Sequence, residues 1–160
     1  MTTDVRVLEG RPDGTGRRVA IVVSRFNRAV TESLLDGAIE GLTSHGTEPA
    51  AIDVVNVPGA FEIALAAEHC AASGRYAAIV CLGAVVRGET PHFEFIAREV
   101  SRGINEVACR HRVPVAFGVL TTENMEQALA RAGSGHGNKG FEAAVTALEM
   151  ADLLARLSRA

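Results

Sequence analysis

Four short apolar-rich runs without strict alternation divide the chain, and between them apolar positions step by three and four. The first, Val19-Ala20-Ile21-Val22-Val23, closes in Ser24-Arg25-Phe26-Asn27 and predicts a strand buried on both faces. Over 29–44 the positions Val30, Leu34, Leu35, Ala38, Ile39 and Leu42 predict an amphipathic helix stopped by Gly46. A second strand spans 52–57 and is broken by Pro58-Gly59. A helix over 60–72 follows, with Ile63, Ala66, Ala67 and Cys70 on one face and Gly74 as its stop.

The third run, 78–86, ends in Arg87-Gly88-Glu89-Thr90 and leads to a helix with Phe93, Ile96, Val100, Ile104 and Val107 inward. Glu94, Arg98, Arg102 and Glu106 face outward, Thr90 is the expected N-cap and Pro91 the first helical residue. A fourth strand over 114–120, a short helix to Ala132 and a glycine-rich loop over 133–138 precede the last helix. That helix turns Phe141, Val145 and Leu148 toward the core and ends near Leu157.

Strand and helix alternate four times without period-two patterning. This predicts an α/β fold, a parallel sheet covered on both faces by right-handed crossovers. Residues 18–160 form the single expected domain. Residues 1–17, ending in GRPDGTGRR, read as a flexible arm whose Val5, Val7 and Leu8 can add an edge strand to a neighbour. Parallel sheets bind ligands beyond the carboxyl ends of their strands, here 24–27, 57–62, 84–92 and 118–124.

Composition narrows the classes. Apolar content of 48% and charge of 22% in 160 residues suit a soluble globular domain, and a net charge of −3 argues against a general nucleic-acid binder. The three cysteines, Cys70, Cys81 and Cys109, have no CxxC spacing and read as structural thiols. The histidines show no metal-ligand spacing, so no metal is expected. No signal core or membrane-length apolar run is present, and a cytoplasmic protein is expected.

The strand ends carry the candidate chemistry. Arg87-Gly88-Glu89-Thr90 before a helix offers backbone N–H groups at the positive end of a dipole, either an anion site or only a capped helix start. His92, in the first turn, can take and return a proton, or simply face solvent. Phe26 lies where the chain should turn outward, and can stack on a flat ring or cover the core. Glu62 can accept hydrogen bonds from a polyol or amine, or complement the helix dipole. The stretch from Gly133 to Gly140 mimics a phosphate loop, but Asn138 and Gly140 stand where Gly and Ser or Thr are needed. It also follows a helix, and no GxGxxG follows the first strand.

VSRFN after the first strand, VPGAFEI after the second, LGAVVRGETPHFE after the third, and FGVLTTENMEQALARAG with NKG at the end together resemble the lumazine synthase family. The resemblance spans residues 19 to about 148, in register. It implies a flavodoxin-like three-layer fold with a four-stranded parallel sheet. It implies condensation of 5-amino-6-(D-ribitylamino)uracil with 3,4-dihydroxy-2-butanone 4-phosphate to 6,7-dimethyl-8-ribityllumazine, releasing phosphate and water in riboflavin biosynthesis, without metal or bound cofactor. It implies homopentamers with active sites between neighbours; a sixty-subunit shell and riboflavin synthase as a partner are further expectations.

By the same resemblance, Phe26 stacks on the pyrimidine, Ala60, Phe61 and Glu62 hold the ribityl chain and ring edge, and Ala84, Val85 and Val86 read the uracil through their backbone. Glu89 and Thr90 sit at the phosphate, with the Glu89 backbone facing it, and His92 transfers protons. Phe117 closes the ring pocket from the adjacent subunit, Arg131 reaches the phosphate across that interface, and Lys139 lies nearby. Ala84 departs from relatives that carry a small hydroxyl there. The alternative from another class is a flavin- or lumazine-binding or shell-forming protein without turnover.

Overall fold

The computed structural model describes residues 4–133 and 137–160. Residues 134–136 of the predicted glycine-rich loop, and the first three residues of the predicted arm, lie outside the described residues. Four parallel strands, β1 (Val19–Ser24), β2 (Ile52–Val57), β3 (Ala78–Val86) and β4 (Val115–Thr122), form one sheet in the order β2-β1-β3-β4. Among the described residues five α-helices surround it: α1 (Arg28–Thr43), α2 (Ile63–Ala72), α3 (His92–His111), α4 (Met125–Arg131) and α5 (Lys139–Arg159).

The unbroken apolar runs have their explanation in two cores. Val19, Ile21 and Val23 join Leu34, Leu42, Ala144 and Leu148 under α1 and α5. Ala20 and Val22 join Ile63, Ala67, Val100 and Ile104 under α2 and α3. Both faces of β1 are therefore sealed, and alternation would have left half its residues polar against a helix.

Four details differ from expectation. The segment over 60–72 is a 3₁₀ turn (Ala60–Glu62) followed by α2. Thr90 does not cap α3: the cap position is Pro91, without a side-chain cap, and its carbonyl accepts the Glu94 N–H at 3.0 Å. Strand β4 runs on to Thr122 because Thr121 and Thr122, β-branched residues, continue its register with Val85 and Val86. In α5 the inward face is made of Ala143, Ala144, Ala147, Leu148 and Ala151, while Phe141 and Val145 are only half-buried.

Small residues are needed there because α1 and α5 cross closely. A Cβ on Gly140 would stand 2.0 Å from the Leu34 carbonyl oxygen. On helix propensity alone, Gly140→Ala would gain up to about 1 kcal/mol. The contact reverses the sign, and a loss of about 1–3 kcal/mol is expected in denaturant unfolding.

The arm is bound rather than free from Gly10 onward, which narrows the expectation for residues 1–17. Its Arg11 N–H donates to Asp152 Oδ2 at 2.8 Å, and the Gly14 N–H donates to the His45 carbonyl at 2.8 Å. Gly10 lies so near α5 that a Cβ would meet the Glu149 carbonyl oxygen. Glycine here serves close approach, a use that composition alone does not distinguish from flexibility. Val5 and Val7 remain exposed, and no strand forms over residues 4–18.

Asp152 also accepts from Arg156 Nε at 2.8 Å. That hydrogen bond, then the one from Arg11, lowers its pKa to about 2. Because the folded value lies below the unfolded one, this stabilisation is complete above the ordinary value of 3.8 and fades as pH falls toward about 2. Asp152→Asn should lower the melting temperature at neutral pH, and the gap from the native protein should close as pH drops through that window.

Cys81 is fully buried and Cys70 partly so, and burial raises both thiols, which suits structural roles; Cys109 is exposed. Among the described residues no helix is long and apolar enough to cross a membrane. Nor does a cluster of three or more His, Cys, Asp or Glu side chains able to hold a metal occur among them.

Candidate active site

A cavity of about 390 Å³ opens at the carboxyl edge of the sheet, where β1 and β3 are neighbours but their crossovers leave in opposite directions. β1 pairs with β3 only as far as Val23 and Leu82, whereas β4 stays paired with β3 out to Val86. The side of β3 that faces β1 therefore has no strand partner over residues 83–86. Ala84, Val85 and Val86 line the cavity from this free edge.

Phe26 reaches the cavity because the chain reverses at Asn27, which adopts the left-handed region (φ 62°, ψ 50°) that asparagine tolerates better than most residues. Asn27 Nδ2 donates to the Ala84 carbonyl at 2.8 Å, tying the ends of β1 and β3 together. Phe26 is left 68% exposed, far too open for a core cover, and Phe61 across the mouth is 59% exposed. Two open aromatic rings beside a polar backbone edge suit a flat heterocycle.

Ala60, Phe61 and Glu62 come from the 3₁₀ turn after β2. The Glu62 carboxylate lies over Gly59, where a Cβ would stand 3.0 Å from its Oε1, so the Pro-Gly turn makes room for the acid. Thr90 lines the opposite wall with Gly88, and His92 begins α3. His92 is exposed and its ring has no hydrogen-bond partner among the described residues. The free N–H groups of the first turn of α3 lie beside it, at the positive end of a twenty-residue helix. Glu89 lines neither this cavity nor the next, and its side chain is exposed.

Phe117, Arg131 and Lys139 are not brought here. They line a second cavity, also of about 390 Å³, bounded by β4, the end of α4 and the start of α5. The two cavities share no lining residue. Lys139 Nζ pairs with Glu142 at 3.3 Å. Arg131 Nη1 donates to the Gln127 carbonyl at 3.1 Å, and no carboxylate neutralises it among the described residues. Phe117 is 47% exposed on the open edge of the sheet. The chain thus carries a cavity with aromatic and histidine side chains on one side and a cavity with aromatic and cationic side chains on another.

Sequence reasoning missed Asn27 as a clamp, Phe93 and Ile96 as cavity wall, and Thr146 and Glu142 in the second cavity. Only Asn27 carried a signal, a residue tolerant of positive φ between an out-of-place aromatic and a helix. Arg87, read as part of an anion loop, is engaged elsewhere: Glu123 and then Glu94 raise its pKa, and it lies over Phe93.

The family model described as 6,7-dimethyl-8-ribityllumazine synthase matches residues 16–155. The match takes in all four strands, α1 to α4 and most of α5, and with them every residue of both cavities. The chain therefore belongs to the 6,7-dimethyl-8-ribityllumazine synthase family.

Proposed function

We propose that the chain condenses 5-amino-6-(D-ribitylamino)uracil with 3,4-dihydroxy-2-butanone 4-phosphate at a site completed by two copies, with His92 moving the protons. The family supports ribityllumazine synthesis within riboflavin biosynthesis. The observation that carries the finer reading is the division of the equipment into two separate cavities on one chain. Neither alone offers both a proton carrier and an unpaired cation.

In this reading the uracil ring lies against Phe26 and is read by the free edge of β3 at Ala84, Val85 and Val86. The ribityl chain runs past Ala60 and Phe61 to the Glu62 carboxylate. The phosphate rests on the backbone of Glu89 and Thr90 at the start of α3, where the helix dipole favours an anion. Arg131 of the adjacent copy supplies the fixed charge through a charge-assisted pair, and Phe117 of that copy covers the ring beside Lys139.

The chemistry asks little else. The amine condenses with the ketone with loss of water, phosphate leaves by elimination, and the second amine captures the remaining carbonyl with loss of a second water. Each step transfers a proton near neutral pH, a task for an exposed imidazole at the reacting centre. Holding both substrates in one orientation supplies a large further share of the acceleration.

A ring of five copies is the assembly proposed, with a sixty-copy shell as a larger form. Leu65 and Phe95, 67% and 60% exposed on one chain, support cover by neighbours. Pairing of residues 5–8 with a neighbouring sheet, a cytoplasmic location and hand-over of product to riboflavin synthase belong to the same proposal. The direct test mixes the two substrates with purified protein and follows lumazine absorbance and phosphate release. Stoichiometric appearance of both supports the reading; a protein that binds lumazine yet forms none would overturn it.

A further inference from the structure

We propose that Arg87 is a positioning residue of this reaction, an inference that rests on the function proposed above. It holds the loop bearing Gly88, Thr90 and His92 against the turn that opens α4. Its backbone N–H donates to the Thr122 carbonyl at 2.9 Å, just beyond the last paired residues of β3 and β4. Its side chain then divides. Nε donates to Glu123 Oε2 at 2.7 Å and Nη1 to Glu94 Oε1 at 3.4 Å, while the guanidinium lies 4.6 Å from the ring centroid of Phe93. One side chain thereby ties the end of β3, the first turn of α3 and the β4–α4 turn.

The anchor is itself held. The Glu123 N–H donates to Gln127 Oε1 at 2.9 Å, the Gln127 N–H donates to Asn124 Oδ1 at 2.9 Å, and Thr122 Oγ1 donates to the Asn124 carbonyl at 2.9 Å. A turn fixed by three such bonds gives the arginine something rigid to hold. Phe93, under the guanidinium, is a wall of the first cavity, and His92 is its chain neighbour. Arg87 lines neither cavity and is flanked by two carboxylates, so it does not serve as the phosphate's counter-charge.

Both carboxylates are more than half exposed, and pairs of that kind add little to global stability. The effect belongs in the geometry of the site, where a shift of about 1 Å can cost about a hundredfold in rate. The test uses the assembled native protein, Arg87→Met, Arg87→Lys and Glu123→Gln. It reads kcat, KM for each substrate, thermal midpoint and amide exchange over residues 88–93.

Arg87→Met should lower kcat about tenfold or more and speed exchange in the loop, with little change in midpoint. Arg87→Lys, which keeps the charge but not the fork, should fall between. Glu123→Gln, nearly isosteric, should slow turnover in the same direction and carries the test if Arg87→Met folds poorly. The proposal is overturned if Glu123→Gln tightens the phosphate substrate, since a released Arg87 would then be a direct anion ligand. Unchanged loop exchange in both Arg87→Met and Glu123→Gln overturns it as well, whether or not the protein turns over. A native protein that forms no lumazine contradicts the proposed function instead, leaving loop exchange to decide the role of Arg87.

Discussion

Replacing His92 by alanine is expected to lower kcat by about a hundredfold to ten-thousandfold, the range for loss of a positioned acid–base group. Folding and assembly should be spared. The side chain is exposed, its ring has no hydrogen-bond partner among the described residues, and it packs into neither core. Alanine is also a good helix former at the first position of α3. KM for both substrates should move far less than kcat, because the proposed arrangement gives the ring contacts and the phosphate contacts to other residues. Steady-state kinetics with sedimentation of the variant checks both halves of this expectation. A large fall in kcat with unchanged particle size is the predicted pair of results.

The second large effect belongs to Arg131. Arg131→Ala should raise KM for the phosphate substrate about ten- to a hundredfold, which corresponds to a lost charged hydrogen bond of about 1.5–3 kcal/mol. KM for the amine substrate should stay near the native value. The guanidinium is unpaired by carboxylates among the described residues and makes only a local bond to the Gln127 carbonyl, so little structure depends on it. Arg131→Lys should recover part of the loss, since it keeps the charge but cannot present two N–H groups side by side. An equal rise in KM for both substrates would count against a role specific to phosphate.

Much of this was legible in the residues because parallel strands and their helices leave strong patterns. Runs such as Ala78–Val86 have no reason to be unbroken unless both faces are sealed, and their ends point to the ligand edge. Phe26 stood out in the sequence as an aromatic where the chain turns outward, and His92 as a histidine in the first turn of a helix; the structure places both at the first cavity. Other features were not, for identifiable reasons. The inward face of α5 was misread because alanine and glycine carry little hydrophobic signal, although close helix crossing requires them at Gly140 and Ala144. Thr90 had the composition of a cap, but the local geometry set by Pro91 closed the first turn without it.

Contacts distant in sequence were hidden altogether. Arg87 and Glu123 are 36 residues apart, and Arg11 meets Asp152 across 141. The separation of Phe117 and Arg131 from Phe26 and His92 is a property of the folded chain. Only the resemblance suggested it in advance, through the adjacent subunit. Two separate cavities on one chain are the observation from which a site shared between copies is proposed.

The claim most exposed to a single measurement is that one active site draws on two copies of the chain. His92→Ala and Arg131→Ala proteins, each impaired alone, are dissociated, mixed in equal amounts and reassembled, and lumazine formation is assayed at limiting phosphate substrate. In a shared site with random mixing, about a quarter of the sites pair an intact His92 with an intact Arg131 from the neighbour, so activity rises well above either parent. A reassembled mixture no more active than the average of its parents would contradict the account.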